Sequence, residues 1–135
     1  MQYIVHQRFK GKTVSGSVNI PAMTICEGRD GVIYCDDKPI CSDMSACAHH
    51  HFAINDDGNG MLRGKLTTAI QNTLNKDRDK PIHQERWDKV WDDPRCQKYQ
   101  RDDHPDHWLW NHAFFHASIE DLRYIANLIG AKEDK

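Results

Sequence analysis

The sequence predicts an α+β fold, a single domain over residues 1–135 with strands first and helices after. Three observations predict it. Apolar and polar residues alternate with a period of two up to about residue 41. From residue 42 the apolar positions recur at helical spacing, and Gly, Asp and Pro clusters punctuate the change. The 135 residues, 39% of them hydrophobic, are enough to close one modest core. Residues 1–41 are expected to form an N-terminal antiparallel β-meander, and residues 42–135 three to five α-helices.

The elements follow in order. Tyr3 and Val5, then Val14, Val18 and Ile20, alternate with polar residues as half-buried strands do, with joints at Gly11 and Gly16 and an end at Pro21. Thr24-Ile25-Cys26 and Val32-Ile33-Tyr34-Cys35 flank Gly28-Arg29-Asp30-Gly31, which reads as a hairpin turn. Asp36-Asp37-Lys38-Pro39 predicts a second turn leading into Ile40-Cys41. Ser42 is placed to N-cap a helix carrying Met44, Cys47, Ala48, His51 and Phe52, which Asn55 to Gly60 then breaks. Leu62, Leu66, Ala69, Ile70 and Leu74 form the apolar stripe of a second helix. After the polar stretch Asn75 to Pro81, Ile82, Trp87, Val90 and Trp91 predict a third, stopped at Asp93-Pro94. Asp102 to Asp106 is too polar for a core. Ser118-Ile119-Glu120-Asp121 is a capping signal for a last helix with Ile119, Leu122, Ile125, Ala126 and Ile129 inward and Gly130 at its end.

Composition narrows the function classes. A mean hydropathy of −0.79 and 28% charged residues exclude a membrane protein, and no apolar run approaches the ~20 residues that span a bilayer. Met1 to Lys10 alternate and do not form a signal peptide. With five Cys, an odd number, a disulfide framework is not expected, and reduced thiols in a cytoplasm are. The net charge of −2 is uneven: residues 102–135 hold seven acidic and three basic side chains, and residues 1–54 five of each. No concentrated basic face is present, so direct nucleic-acid binding is not expected, and the acidic C-terminal third suits a basic protein partner.

Nine His beside five Cys in so short a chain point to a transition metal, zinc above all. Zinc takes about four thiolate or imidazole ligands in a tetrahedron. A hairpin brings Cys26 near Cys35 or Cys41, and a helix after Cys41 turns Cys47 and His51 onto one face. Cys26, Cys41, Cys47 and His51 are therefore the first candidate ligands of a structural zinc; the alternative is that these cysteines are small buried hydrophobes. A second cluster holds Cys96, His104, His107, His112 and His116. His112 and His116 stand four apart, as two ligands on one helical face would, or as surface residues among Trp108, Trp110, Phe114 and Phe115.

Catalytic signatures are weaker. No Glu directly follows His112, so a metalloprotease helix is excluded. Asp103-His104, Asn111 and His112 share residue types with a metal-dependent His-Asn-His nuclease, but Pro105 and an aromatic run intervene and no basic groove accompanies them. Asp56-Asp57-Gly58-Asn59-Gly60 lacks the distal Glu of a calcium loop and reads as a turn. There is no Gly-rich phosphate loop and no activated Ser or Cys motif. No catalytic residue is assigned.

The segments Asp30-Gly31-Val32-Ile33, Lys38-Pro39-Ile40-Cys41, Asn55 to Lys65, Glu85-Arg86-Trp87-Asp88-Lys89-Val90-Trp91 and Asp106-His107-Trp108-Leu109-Trp110-Asn111-His112 resemble small accessory proteins of phages that infect Gram-positive bacteria. In size and Cys/His content the chain is similar to a zinc-containing type II anti-CRISPR inhibitor. The resemblance implies a non-catalytic protein in the bacterial cytoplasm that binds a host defence nuclease, the type II CRISPR effector, and blocks target DNA binding or cleavage. A phage structural or assembly factor is the blander alternative. The resemblance assigns no site residues.

Overall fold

A computed structural model describes residues 1–13, 16–43, 45–100 and 112–131. The fold is α+β, with N-terminal antiparallel strands followed, among the described residues, by four helices. Two compact units divide the chain, Met1–Gly64 and Lys65–Lys135. No helix among the described residues is long and apolar enough to cross a membrane.

In the first unit, β1 (Gln2–Val5), β4 (Ile25–Arg29), β5 (Val32–Cys35), β6 (Lys38–Ser42) and β7 (Phe52–Ile54) form one antiparallel sheet in the order β6-β5-β4-β1-β7. β2 (Phe9–Thr13) and β3 (Gly16–Ile20) pair separately as a hairpin. The strands therefore do not form a simple sequential meander, and Gly11 lies inside β2 opposite Val18, not at a joint. Strand alternation sorts the sheet. Tyr3, Val5, Cys26, Ile33, Cys35 and Phe52 are buried in one core with Phe9 and Ile20 of the hairpin.

Two tight turns set the register. Asp30-Gly31 and Asp36-Asp37 all have left-handed backbones, φ 52°, 81°, 51° and 61°, as two-residue turns between right-twisted strands require. Arg29 accordingly stays in β4, and Lys38-Pro39 already belongs to β6. Between β5 and β6 the register slips by one: Ile33 faces Cys41 while Tyr34 faces Pro39. Ile40 is the extra residue of a β-bulge, and both Ile40 and Cys41 pack against the core.

Helix α1 (Ala46–His51) is capped by Ser45 and not by Ser42, which ends β6. The Ser45 hydroxyl accepts from Ala48 N–H at 3.0 Å and donates to the Ser42 carbonyl at 2.9 Å. The helix is shorter than its apolar pattern predicts. Phe52 leaves it to open β7, where Phe52 and Ala53 are buried along the edge of β1.

Helix α2 runs Gly60–Asn75, with Leu66, Ile70 and Leu74 buried as expected and Leu62 and Ala69 half-buried. Helix α3 (Pro81–Trp91) starts on Pro81, whose missing N–H is harmless in a first turn. It buries Trp87 and Val90 but exposes Ile82, against expectation. In the second unit α3 packs on α4 (Ile119–Ile129), and short 3₁₀ turns occupy Gln97–Tyr99 and His112–His116. Helix α4 follows its sequence signal. Ser118 caps the Asp121 N–H at 3.1 Å, Gly130 closes the helix at φ 72°, and Leu122, Ile125, Ala126 and Ile129 are buried.

Candidate functional site

The sheet of the first unit has a second face. Ile4 on that face is covered by the start of α2, closely enough that a Cβ on Gly60 would come within 2.4 Å of it. Next to it the face opens into a hollow of about 450 Å³, lined by Met1, Gln2, Ile25, Cys26, Glu27, Tyr34, Asp36 and Asp37. Cys26 points to the core, so parity sends its neighbours Ile25 and Glu27 outward.

Large apolar side chains are left in water here. Met1 is 62% exposed and Ile25 51%; Met23, two residues before β4, is 69% exposed. Met23 has a left-handed backbone, φ 73°, held by its N–H on the Val5 carbonyl at 2.7 Å. A non-glycine residue in that conformation costs roughly 1–2 kcal/mol, a strain that persists only where surrounding contacts impose it. Acids edge the hollow. The Arg29 guanidinium lies 4.3 Å over the Tyr34 ring and pairs loosely with Glu27 at 3.7 Å and Asp37 at 3.6 Å. Asp30, Asp36 and Lys38 complete the ionic groups of these turns, leaving acids in excess.

A histidine group lies where β1 meets α1. The His6 N–H and, more weakly, the Gln7 N–H donate to the His51 carbonyl, and His51 Nδ1 lies 3.1 Å from the Gln7 carbonyl. The His51 ring stands edge-on to Phe9 at 5.3 Å. The His6 ring is wedged beneath α2, where a Cβ on Gly64 would come within 2.1 Å of it, and its Nε2 is buried with no hydrogen-bond partner. Burial pulls the His6 pKa down to about 4; a hydrogen bond to the His49 backbone opposes the shift, and His51 and His50 add to it.

Two ion-pair networks fix local structure. Arg63, almost wholly buried, donates to the Ile54 carbonyl at 2.6 Å and to both Asp57 oxygens, which holds the Asp57 carboxyl down to about 2. Asp56-Asp57-Gly58-Asn59-Gly60 is thus a braced turn. In the second unit Asp121 accepts from Tyr99, Arg95 and Lys98, and its pKa is lowered, first by the Tyr99 hydroxyl.

Among the described residues the candidate zinc ligands are not brought into one site. Cys26 is joined to Cys35 by a disulfide, which corrects the expectation of reduced thiols and commits that sulfur elsewhere. Cys41 lies in β6 and His51 at the end of α1, while the side chains of Cys47 and His112 lie outside the described residues. His116 is half-buried in its 3₁₀ turn, and Cys96 is buried, its thiol pushed up to about 12 by burial and by Asp93. Among the described residues no group of three or more His, Cys, Asp or Glu is arranged to hold a metal ion. His104, His107 and Asn111, and with them the nuclease constellation, lie outside the described residues, as do Trp108 and Trp110.

Sequence reasoning missed Met23, Ile25 and His6. Ile25 was legible in part, because its parity opposes that of Cys26. The exposure of Met23 and the burial of His6 depend on distant backbone and carry no local signal. Comparison with known protein families, curated proteins and solved structures gives no match for the chain.

Proposed function

We propose that this chain is a non-catalytic binding protein, a phage-encoded inhibitor of a host defence nuclease, and that it docks through the open face of β4 and β5. The carrying observation is the hollow over that face, where Met1 and Ile25 are exposed beside Glu27, Asp36 and Asp37, with exposed Met23 two residues before β4. Interface cores join apolar anchors to a polar rim, and charge at the rim selects the partner. An apolar centre with an acidic rim suits a basic surface such as the DNA channel of a nuclease. The resemblance to phage accessory proteins supports the type II CRISPR effector as that nuclease.

The test is target-DNA cleavage by a purified type II effector at equimolar inhibitor. The chain suppresses cleavage, and Met23→Glu with Ile25→Glu removes suppression while the thermal unfolding curve stays in place. No suppression at a large excess of the chain, or DNA nicking by the chain alone, overturns the reading.

A further inference from the structure

Three of the five cysteines lie on one face of the first unit's sheet. Cys26 on β4 and Cys35 on β5 stand opposite each other, one step beyond the Glu27–Tyr34 pair, with Cα atoms 4.8 Å apart and a disulfide between them. Cys41 on β6 keeps its thiol. The bulge turns it to the core beside Ile33, two residues along β5 from Cys35. In the strand order β6-β5-β4, Cys35 is the neighbour of Cys41, and Cys26 lies one strand further away. Exposure separates them: Cys26 is 4% and Cys35 8% exposed, whereas Cys41 is half-buried. On that exposure a small thiol in solution reaches Cys41 more readily than it reaches the disulfide.

We propose that Cys41 is the entry point through which small thiols open and close the buried Cys26–Cys35 disulfide. The Cys41 thiolate attacks Cys35 Sγ, a Cys35–Cys41 bond forms, and Cys26 leaves as a thiolate. An external thiolate of the glutathione class then attacks Cys41 Sγ and releases Cys35 as a thiolate. A second external thiolate removes the first as a small disulfide and regenerates Cys41. The protein disulfide is reduced by two electrons, and two small thiols are oxidised to one disulfide. Closure runs the same steps backward.

Geometry favours this route. Diagonal neighbours on adjacent strands have Cα atoms about 7–8 Å apart, and a disulfide bridges at most about 7 Å. The exchange therefore needs β6 to move inward by roughly an ångström. β6 is an edge strand, hydrogen-bonded within its sheet to β5 alone and already bulged at Ile40 beside Cys41, so few ladder bonds oppose that movement.

The test is the rate at which dithiothreitol opens the disulfide in the folded, full-length protein, followed by rapid alkylation and mass spectrometry. Cys41→Ser and Cys41→Ala slow opening about tenfold or more, because access limits exchange. A second measurement uses Cys26→Ser with oxidised glutathione, in which a Cys35–Cys41 disulfide forms; in Cys35→Ser, Cys41 instead carries glutathione. Equal rates in wild type and both Cys41 variants, or no Cys35–Cys41 product in folded Cys26→Ser, overturns the proposal.

Discussion

Protonation of His6 is expected to make the first unit acid-labile in a defined window. The His6 ring sits beneath α2 against Gly64, bonded to the His49 backbone and facing His50 and His51, with Nε2 buried and unsatisfied. Its folded pKa is pulled from 6.5 down to about 4. Between these values the unfolded chain binds a proton that the folded chain refuses, so stability present above pH 6.5 drains away as pH falls and levels off below pH 4. At 1.36 kcal/mol per pKa unit the full loss is about 3 kcal/mol. Carboxylates held low, such as Asp57 at about 2, surrender their share only at more acid pH. Urea unfolding from pH 7.5 to 4 measures the slope, and ring chemical shifts assign it to His6. His6→Gln is less stable at neutral pH but loses most of this pH dependence. Parallel pH profiles for wild type and His6→Gln, or a His6 ring that titrates near 6.5, would refute the reasoning, because water would then reach the ring.

Further expectations concern the backbone and the buried charges. Asp57→Ala leaves the Arg63 guanidinium buried without its carboxylate and costs about 3 kcal/mol in chemical unfolding, and adding Arg63→Met recovers part of that loss. Gly64→Ala drives a methyl into the His6 ring and destabilises by about 1–3 kcal/mol, with backbone shifts visible by amide chemical shifts at His6. Ser45→Ala removes the α1 cap at a cost of about 1 kcal/mol, and Ser42→Ala, which deletes no cap, costs measurably less. Asp37→Gly relieves a left-handed non-glycine residue and raises stability by roughly 0.5–1 kcal/mol, since the Arg29–Asp37 pair it deletes is exposed.

What was legible in the sequence was local. Asp30-Gly31 announces a tight turn because few residue pairs tolerate two left-handed backbones, and Ser118 with Gly130 brackets α4 because each satisfies orphan groups at its own helix end. What was not legible depended on partners far along the chain. Phe52-Ala53-Ile54 is too short to read as a strand until β1 offers it an edge. Ser42 and Ser45 both suit a cap, and the choice falls to Ser45 because β6 claims Ser42. The cysteines showed that sulfur would gather near the sheet, but only the β4–β5 register makes Cys26 and Cys35 opposite neighbours. The hollow was hidden for the same reason: alternation sends Ile4 and Ile25 to one face, and where α2 lands decides which of them is covered.

The bulge in β6 reaches beyond its role in packing. A sheet recruits additional strands through a straight border with regularly spaced donors and acceptors. On the β6 side that border is bent by one surplus residue and lacks the amide hydrogen of Pro39; on the β7 side it is only three residues long. Both margins are thus poor templates for another chain's backbone. The sheet resists fibrous growth, and any macromolecule that recognises it must read side chains displayed on its flat rather than extend its ladder.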